Sequence, residues 1–252
     1  MFARIQDKIR GQLPVGPEVH LWFARLDDAQ PLAADFDLLA ADERQRAERF
    51  RLDLHRRRFV AGRVILRRLV SFYTGQAPQE IRFSYGPQGK PTLTPPGLHF
   101  NLAHSGEHAL YAFSLDRPLG VDLESPQELD AVQPLIQRYL TAPDRALFRL
   151  DASGLDSASP QELLSRFYRC WTFKEAWLKA QGIGLYGLDK VYTTRILYAP
   201  IGVIFEVQAG VRRGQALVDQ RQGLTYALVA AGTLEMQPVC FDFTADAHLA
   251  RN

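Results

Sequence analysis

Three short stretches of this 252-residue chain return in the same order about a hundred residues further on. Leu39-Ala40-Ala41-Asp42-Glu43-Arg44 is echoed by Leu140-Thr141-Ala142-Pro143-Asp144-Arg145. A helical stretch with Gly62, Arg63, Leu66 and Arg67 can be laid on Lys174, Glu175, Leu178 and Lys179, and Tyr111-Ala112-Phe113 matches Tyr226-Ala227-Leu228. An ordered recurrence of this kind predicts two similar halves meeting near residues 117–120. The expected fold is α+β: a pseudo-twofold pair of similar α/β subdomains, each a small, mostly antiparallel sheet packed with a long helix. The division falls at residues 1–118 and 119–252, and the interface between the halves is a natural place for a ligand cleft.

Local patterns fill this frame. Strands are expected over 19–26, 81–85, 98–102, 109–115, 119–124, 191–197, 201–207, 216–219 and 224–231. Helices are expected over 38–50, with a basic face of Arg44, Arg46 and Arg49, over 54–73 behind an Asp53 cap, within 128–150, and over 161–181. Turns are read at 86–89 and 95–97, loops at 104–107 and 151–160, and a frayed tail from Thr244. Gly182-Ile183-Gly184-Leu185-Tyr186-Gly187 spells a dinucleotide fingerprint. It follows a helix where that motif needs a strand, so Gly182 reads as a helix C-cap instead.

Composition narrows the class. An apolar fraction of 46% and a charged fraction of 23% are those of a globular protein. The net charge of +2 conceals 30 basic against 28 acidic side chains, so any function of charge lies in placement. Cys170 and Cys240 have neither the number nor the spacing of a disulfide framework or zinc site, and both read as buried small apolar groups. No signal peptide or membrane-length apolar run is visible, so a cytoplasmic protein with neither membrane nor nucleic-acid partners is expected.

The chemistry-bearing residues lie in four places. In the stretch 171–180, Glu175 and Lys179 are four apart and share a helix face, as ordinary surface pairs also do. In Leu119-Gly120-Val121-Asp122-Leu123-Glu124, a strand sends Asp122 and Glu124 to one face, where two carboxylates form either a hard-cation site or a solvated edge. Gly89-Lys90-Pro91 places a lysine after a tight turn, and Phe100-Asn101-Leu102-Ala103-His104-Ser105-Gly106 places an imidazole and a hydroxyl in a loop. A lysine, a histidine and several arginines together suit a polyphosphate. Ser105 beside His104 invites a hydrolase reading, but no G-x-S-x-G elbow occurs and sequence neighbours rarely form a nucleophile–base pair.

These four motifs, in this order, resemble those of the phosphopantetheinyl transferases, specifically the long, monomeric, two-lobed type that activates peptide and polyketide synthetases. The resemblance spans roughly residues 38–185. It implies that coenzyme A, as co-substrate, and Mg²⁺ bind between the lobes. A serine of an apo acyl or peptidyl carrier protein then attacks the β-phosphate, and 3′,5′-ADP leaves. It further implies Asp122, Glu124 and Glu175 as metal ligands, Glu175 or a water it orients as the base, and Lys179 as a catalytic and phosphate-binding cation. His104, Ser105 and Lys90 become further coenzyme A contacts, and Arg46 and Arg58 fall near positions that hold the nucleotide 3′-phosphate. Two positions depart from the family pattern: Ala103 stands where a serine is usual, and Glu43 where a basic residue is often found. Two other readings share these residues: a coenzyme A-binding regulatory protein without turnover, and a phosphoester hydrolase using the same metal site.

Overall fold

Along the first strand, Val19, Leu21 and Phe23 alternate with His20, Trp22 and Ala24, and all six are buried. With a period of two, such a strand must have a packed layer on each side. The computed structural model describes residues 13–14, 16–28, 33–127, 132–151, 158–183, 192–199, 202–209, 212–231 and 236–243. Its elements are β1 (Glu18–Arg25), α1 (Ala33–Asp37), α2 (Ala41–Glu48), α3 (Asp53–Thr74), a 3₁₀ turn at Pro78–Glu80, β2 (Phe83–Tyr85) and β3 (Pro91–Leu93). There follow β4 (His99–Ser105), β5 (His108–Ser114), β6 (Leu119–Glu124), α4 (Val132–Tyr139), α5 (Ala142–Leu147) and α6 (Pro160–Gln181). The chain closes with β7 (Tyr192–Ala199), β8 (Gly202–Ala209), β9 (Arg212–Arg221), β10 (Leu224–Ala231) and β11 (Gln237–Phe243).

Two sheets carry the fold, in the orders β11-β1-β5-β4 and β6-β10-β9-β8-β7, with β2 and β3 as a separate hairpin. Pairing is antiparallel except between β1 and β11. Helix α3 buries Ile65, Leu66, Leu69 and Val70 against Trp22, Tyr111 and Phe113 of the first sheet. Helix α6 buries Phe173, Ala176 and Trp177 against Ala216, Val218, Ala227 and Val229 of the second. Between the sheets, Val19, Leu21 and Leu110 meet Val121, Leu123 and Leu228 in a shared core. The protein is thus an α+β fold of two subdomains, each a sheet backed by a long helix. No helix among the described residues is long and apolar enough to cross a membrane.

The recurrence seen in the sequence has a physical basis in one of its three stretches. Glu43 accepts from its own helix start at Ala40 N (2.9 Å) and from Arg67 Nε (2.7 Å) and Arg63 on α3. Asp144 accepts from Thr141 N (2.8 Å) and from Lys174 Nζ of α6 (2.5 Å). Each half therefore ties its short helix to its long one with a buried acid. The other two likenesses are out of step. Lys174 answers to Arg63 or Arg67 in its bonding and not to Gly62, and Tyr111 and Phe113 face α3 whereas Tyr226 and Leu228 face the shared core. On a strand, a shift of one residue exchanges faces.

Several local expectations need correction. Asp53 is the first helical residue, paired with Arg56 and Arg57, and the cap position is Leu52. His104 and Ser105 lie on β4 and not in a loop, because the hairpin to β5 is tight. Cys170 is buried as expected, but Cys240 is exposed on β11. That strand was not foreseen; it places residues 237–243 in the first sheet beside β1, so the division at 118/119 follows sequence order and not sheet membership. Residues 184–187 of the glycine motif, most of the loop 151–160 and the tail from Thr244 lie outside the described residues.

Candidate active site

Helix α6 brings the site together. At its start the Ser159 hydroxyl accepts from Glu162 N while the Glu162 carboxylate accepts from Ser159 N, a reciprocal cap. It ends at Gly182, φ 68°, where the Gly182 and Ile183 amides return to the Lys179 and Leu178 carbonyls. The last turns rest on β6 with no side chain between them: a Cβ on Gly120 would lie 2.2 Å from both Ala176 O and Ala180 N. Only glycine permits that approach. Two residues along the strand, Asp122 consequently lies under the face that carries Glu175 and Lys179.

The Lys179 ammonium donates to Asp122 Oδ1 at 2.5 Å and stands 3.8 Å from Glu175 Oε2. Asp122 is 3% exposed, and its second oxygen, Oδ2, has no donor. Burial pushes its carboxyl up to about 7; Lys179 pulls it down, and Glu175 and Glu124 push it further up. Glu124 is also held above its ordinary value, chiefly by burial, with the Ser105 hydroxyl opposing and Glu175 adding to the rise. Two carboxylates held above their ordinary values, one with an orphaned buried oxygen, form together with Glu175 an oxygen donor set suited to a hard divalent cation. The enclosure is not formed as the side chains stand: among the described residues, no three His, Cys, Asp or Glu groups converge closely enough to hold a metal.

Strand β4 supports this edge through side chains. Asn101 Oδ1 accepts from Val121 N at 2.8 Å. The Ser105 hydroxyl donates to Glu124 Oε2 at 3.1 Å and accepts from Ser125 N at 3.1 Å. With its one proton committed to Glu124, Ser105 is not poised against His104, and the hydrolase dyad finds no geometric support.

Beside the acids opens a cleft of about 780 Å³. Glu175, Lys179, His104, Arg46, Arg58 and Lys90 line it, whereas Asp122, Glu124 and Ser105 do not. His104 is held below its usual pKa, mainly by desolvation from the cleft walls and then by the positive Lys179 and Arg46. Arg46 lies over the Phe59 ring, 5.2 Å from its centre, with no ion pair described for it. Arg58 is engaged bidentately by Asp27 at 2.7 and 2.6 Å. Lys90 departs from the sequence expectation. Its ammonium donates to three backbone carbonyls, Leu119 O (2.9 Å), Lys179 O (2.7 Å) and Ala180 O (3.2 Å). An ammonium has three donors, so none is left for a phosphate in this arrangement.

Sequence reasoning named only Arg58 on one wall. His55, Phe59, Gly62 and Arg63 line the cleft beside it, all from α3. With Arg58 they are spaced i, i+3, i+4, i+7, i+8 on a single helix face, and the imidazole, ring and glycine sharing that face with two arginines were the signal. Glu43 also gains an explanation: at 2% exposed it is neutralised by Arg63 and Arg67 and takes no part in the cleft's charge.

Residues 118–209 match the sequence model of the 4′-phosphopantetheinyl transferase superfamily, and residues 28–115 match that of the 4′-phosphopantetheinyl transferase N-terminal region. The chain is 38% identical over 179 residues to the 4′-phosphopantetheinyl transferase HetI of Nostoc sp., covering 69% of this chain and 73% of that protein. It is 34% identical over 175 residues to a putative 4′-phosphopantetheinyl transferase of Synechocystis sp., covering 68% of each. With the 4′-phosphopantetheinyl transferase Sfp of Bacillus subtilis it shares 28% identity over 148 residues, 58% of this chain and 62% of that one.

Proposed function

The chain belongs to the 4′-phosphopantetheinyl transferase superfamily, in its long, two-lobed form, and we propose that it moves the phosphopantetheine arm of coenzyme A to a serine of an apo acyl or peptidyl carrier protein. The observation that carries this reading is the convergence of Asp122, Glu124, Glu175 and Lys179 at the edge of a cation-lined cleft. In the reaction the serine oxygen bonds to the β-phosphorus, the bond from that phosphorus to the bridging oxygen breaks, and 3′,5′-ADP leaves with that oxygen. Chemistry of this type is served by positioning and charge stabilisation, without a covalent enzyme intermediate.

Asp122, Glu124 and Glu175 would hold Mg²⁺; the orphaned Asp122 Oδ2 supports that donor set. Bound there, the ion would neutralise charge on the pyrophosphate. Glu175, on the cleft wall, accepts the serine proton directly or through a water it orients. Lys179 offsets phosphate charge, His104 faces the same anion, and Arg46 is the cation available to the nucleotide 3′-phosphate. Arg58 reaches a phosphate only by exchanging Asp27, and Ser105 acts by holding Glu124. Monomeric action in the cytoplasm, without nucleic-acid or membrane partners, completes the reading.

The experiment is incubation of the protein with coenzyme A, Mg²⁺ and a panel of apo carriers, followed by intact mass. A phosphopantetheine mass increase on a carrier is expected, and its absence across the panel would sink the proposal. Release of 3′,5′-ADP without carrier modification would favour hydrolysis.

A further inference from the structure

Lys90 reaches from one half of the protein to the other. It follows Gly89, φ 76°, in a turn closed by Gly89 N to Gly86 O (2.9 Å) and Gly86 N to Lys90 O (3.0 Å), between β2 and β3. Its side chain leaves that hairpin and ends on the last turn of α6 and the first residue of β6. The acceptors are what such a place offers. The final carbonyls of a helix have no partner within it, and that end carries partial negative charge. A compact ammonium with three donors matches three converging carbonyls one for one.

One of the bonded atoms belongs to a reactive residue's own backbone, and the other two lie beside it. Lys179 is gripped at both ends: its carbonyl by Lys90 at 2.7 Å, and its ammonium by Asp122 at 2.5 Å. Leu119 and Ala180 flank the Gly120 approach, where α6 and β6 touch without side chains. We propose that Lys90 is a positioning residue, which clamps the end of α6 to the start of β6 and thereby sets where Lys179 and Glu175 stand relative to Asp122, without itself touching phosphate. The inference rests on the transferase reading, and it moves Lys90 from the substrate to the frame that holds the reactive groups.

Substitution by arginine separates the two roles. Arginine binds phosphate at least as well as lysine, but its planar fork does not fit a half-buried three-carbonyl seat made for a point charge. Wild-type transfer is measured first, so failure of the transferase reading is seen independently. Lys90→Met is expected to lower kcat by tenfold or more, against roughly a hundredfold for a full 1 Å misplacement. Its affinity for 3′,5′-ADP, which contains only the nucleotide phosphates, should stay within about threefold of wild type, and amide exchange over residues 178–183 should accelerate. Lys90→Arg should restore neither kcat nor exchange protection. Wild-type kcat and KM in Lys90→Arg would overturn the proposal in favour of a phosphate contact. So would a tenfold weaker 3′,5′-ADP affinity in Lys90→Met at unchanged kcat. A lower melting temperature with unchanged kcat per folded molecule would also overturn it, leaving a stability role alone. Should Lys90→Met fail to fold, Lys90→Gln, which retains two donors, takes its place with the same readouts.

Discussion

Replacing Gly120 by alanine tests how tightly the site depends on backbone contact. The added methyl would meet Ala176 O and Ala180 N at 2.2 Å and Ala180 Cα at 2.8 Å, all backbone atoms of α6. No side chain can turn aside, so the helix itself must retreat. Ordinary contact between such atoms begins near 3.5 Å, so the retreat is roughly 1 Å. That is enough to take the Lys179–Asp122 contact, 2.5 Å long, beyond hydrogen-bond range. Overpacking of this kind costs about 1–3 kcal/mol of stability, and a 1 Å displacement of reactive groups costs about a hundredfold in rate. The assay is kcat/KM for phosphopantetheine transfer, with melting followed in parallel. Gly97→Ala is the control, because a Cβ there meets nothing within 4 Å. Wild-type kcat/KM and melting temperature in Gly120→Ala would refute the claim that α6 is seated on β6 through this glycine.

Asp122→Ala and Glu175→Ala should each lower transfer by at least about a hundredfold while the fold melts cooperatively, read by carrier mass and calorimetry. Turnover near wild type in either would remove that residue from the site. Because Asp122 is raised to about 7 from an unfolded value near 3.8, the folded state binds its proton more tightly. Its contribution therefore destabilises the metal-free protein progressively as pH rises from about 4 to about 7. Denaturant midpoints taken at intervals across that window should fall more steeply in the wild type than in Asp122→Asn, and equal slopes would contradict the assignment. Lys174→Met strands the buried Asp144 carboxylate and should cost about 3–5 kcal/mol in urea unfolding. A loss below about 1 kcal/mol would show that the Thr141 donors suffice for Asp144 without Lys174.

How legible the fold was depended on period. The long helices α3 and α6 were anticipated to within a residue or two because glycine stops them at Gly75 and Gly182, both in left-handed geometry. The strand β6 was read correctly because alternation placed Val121 and Leu123 on one side and the acids on the other. β11 escaped notice because exposed Val239 and Cys240 blur its alternation, and its pairing with β1 joins residues more than two hundred apart. At the site, strand and helix spacing paired Asp122 with Glu124 and Glu175 with Lys179, and the fold brings the two pairs side by side. The meaning of Lys90 could not be read from its motif, since three backbone carbonyls from two distant elements have no sequence signature. For the same reason Gly120 looked like an ordinary strand glycine until the helix above it was seen.

The paired acid knots, Glu43 with Arg63 and Arg67 and Asp144 with Lys174, leave the two long helices unequal in what they can change. Helix α6 offers the cleft a carboxylate and an ammonium, whereas α3 offers it aromatic, imidazole and guanidinium surface around Gly62. Substitutions on the α3 wall would therefore reshape the cleft without altering the proposed reacting groups, whereas those on the α6 wall would change those groups themselves. On the transferase reading, the cleft's shape and its reacting groups would thus sit on separate helices, so that the α3 wall is the place to vary what is admitted and the α6 wall the place to leave untouched.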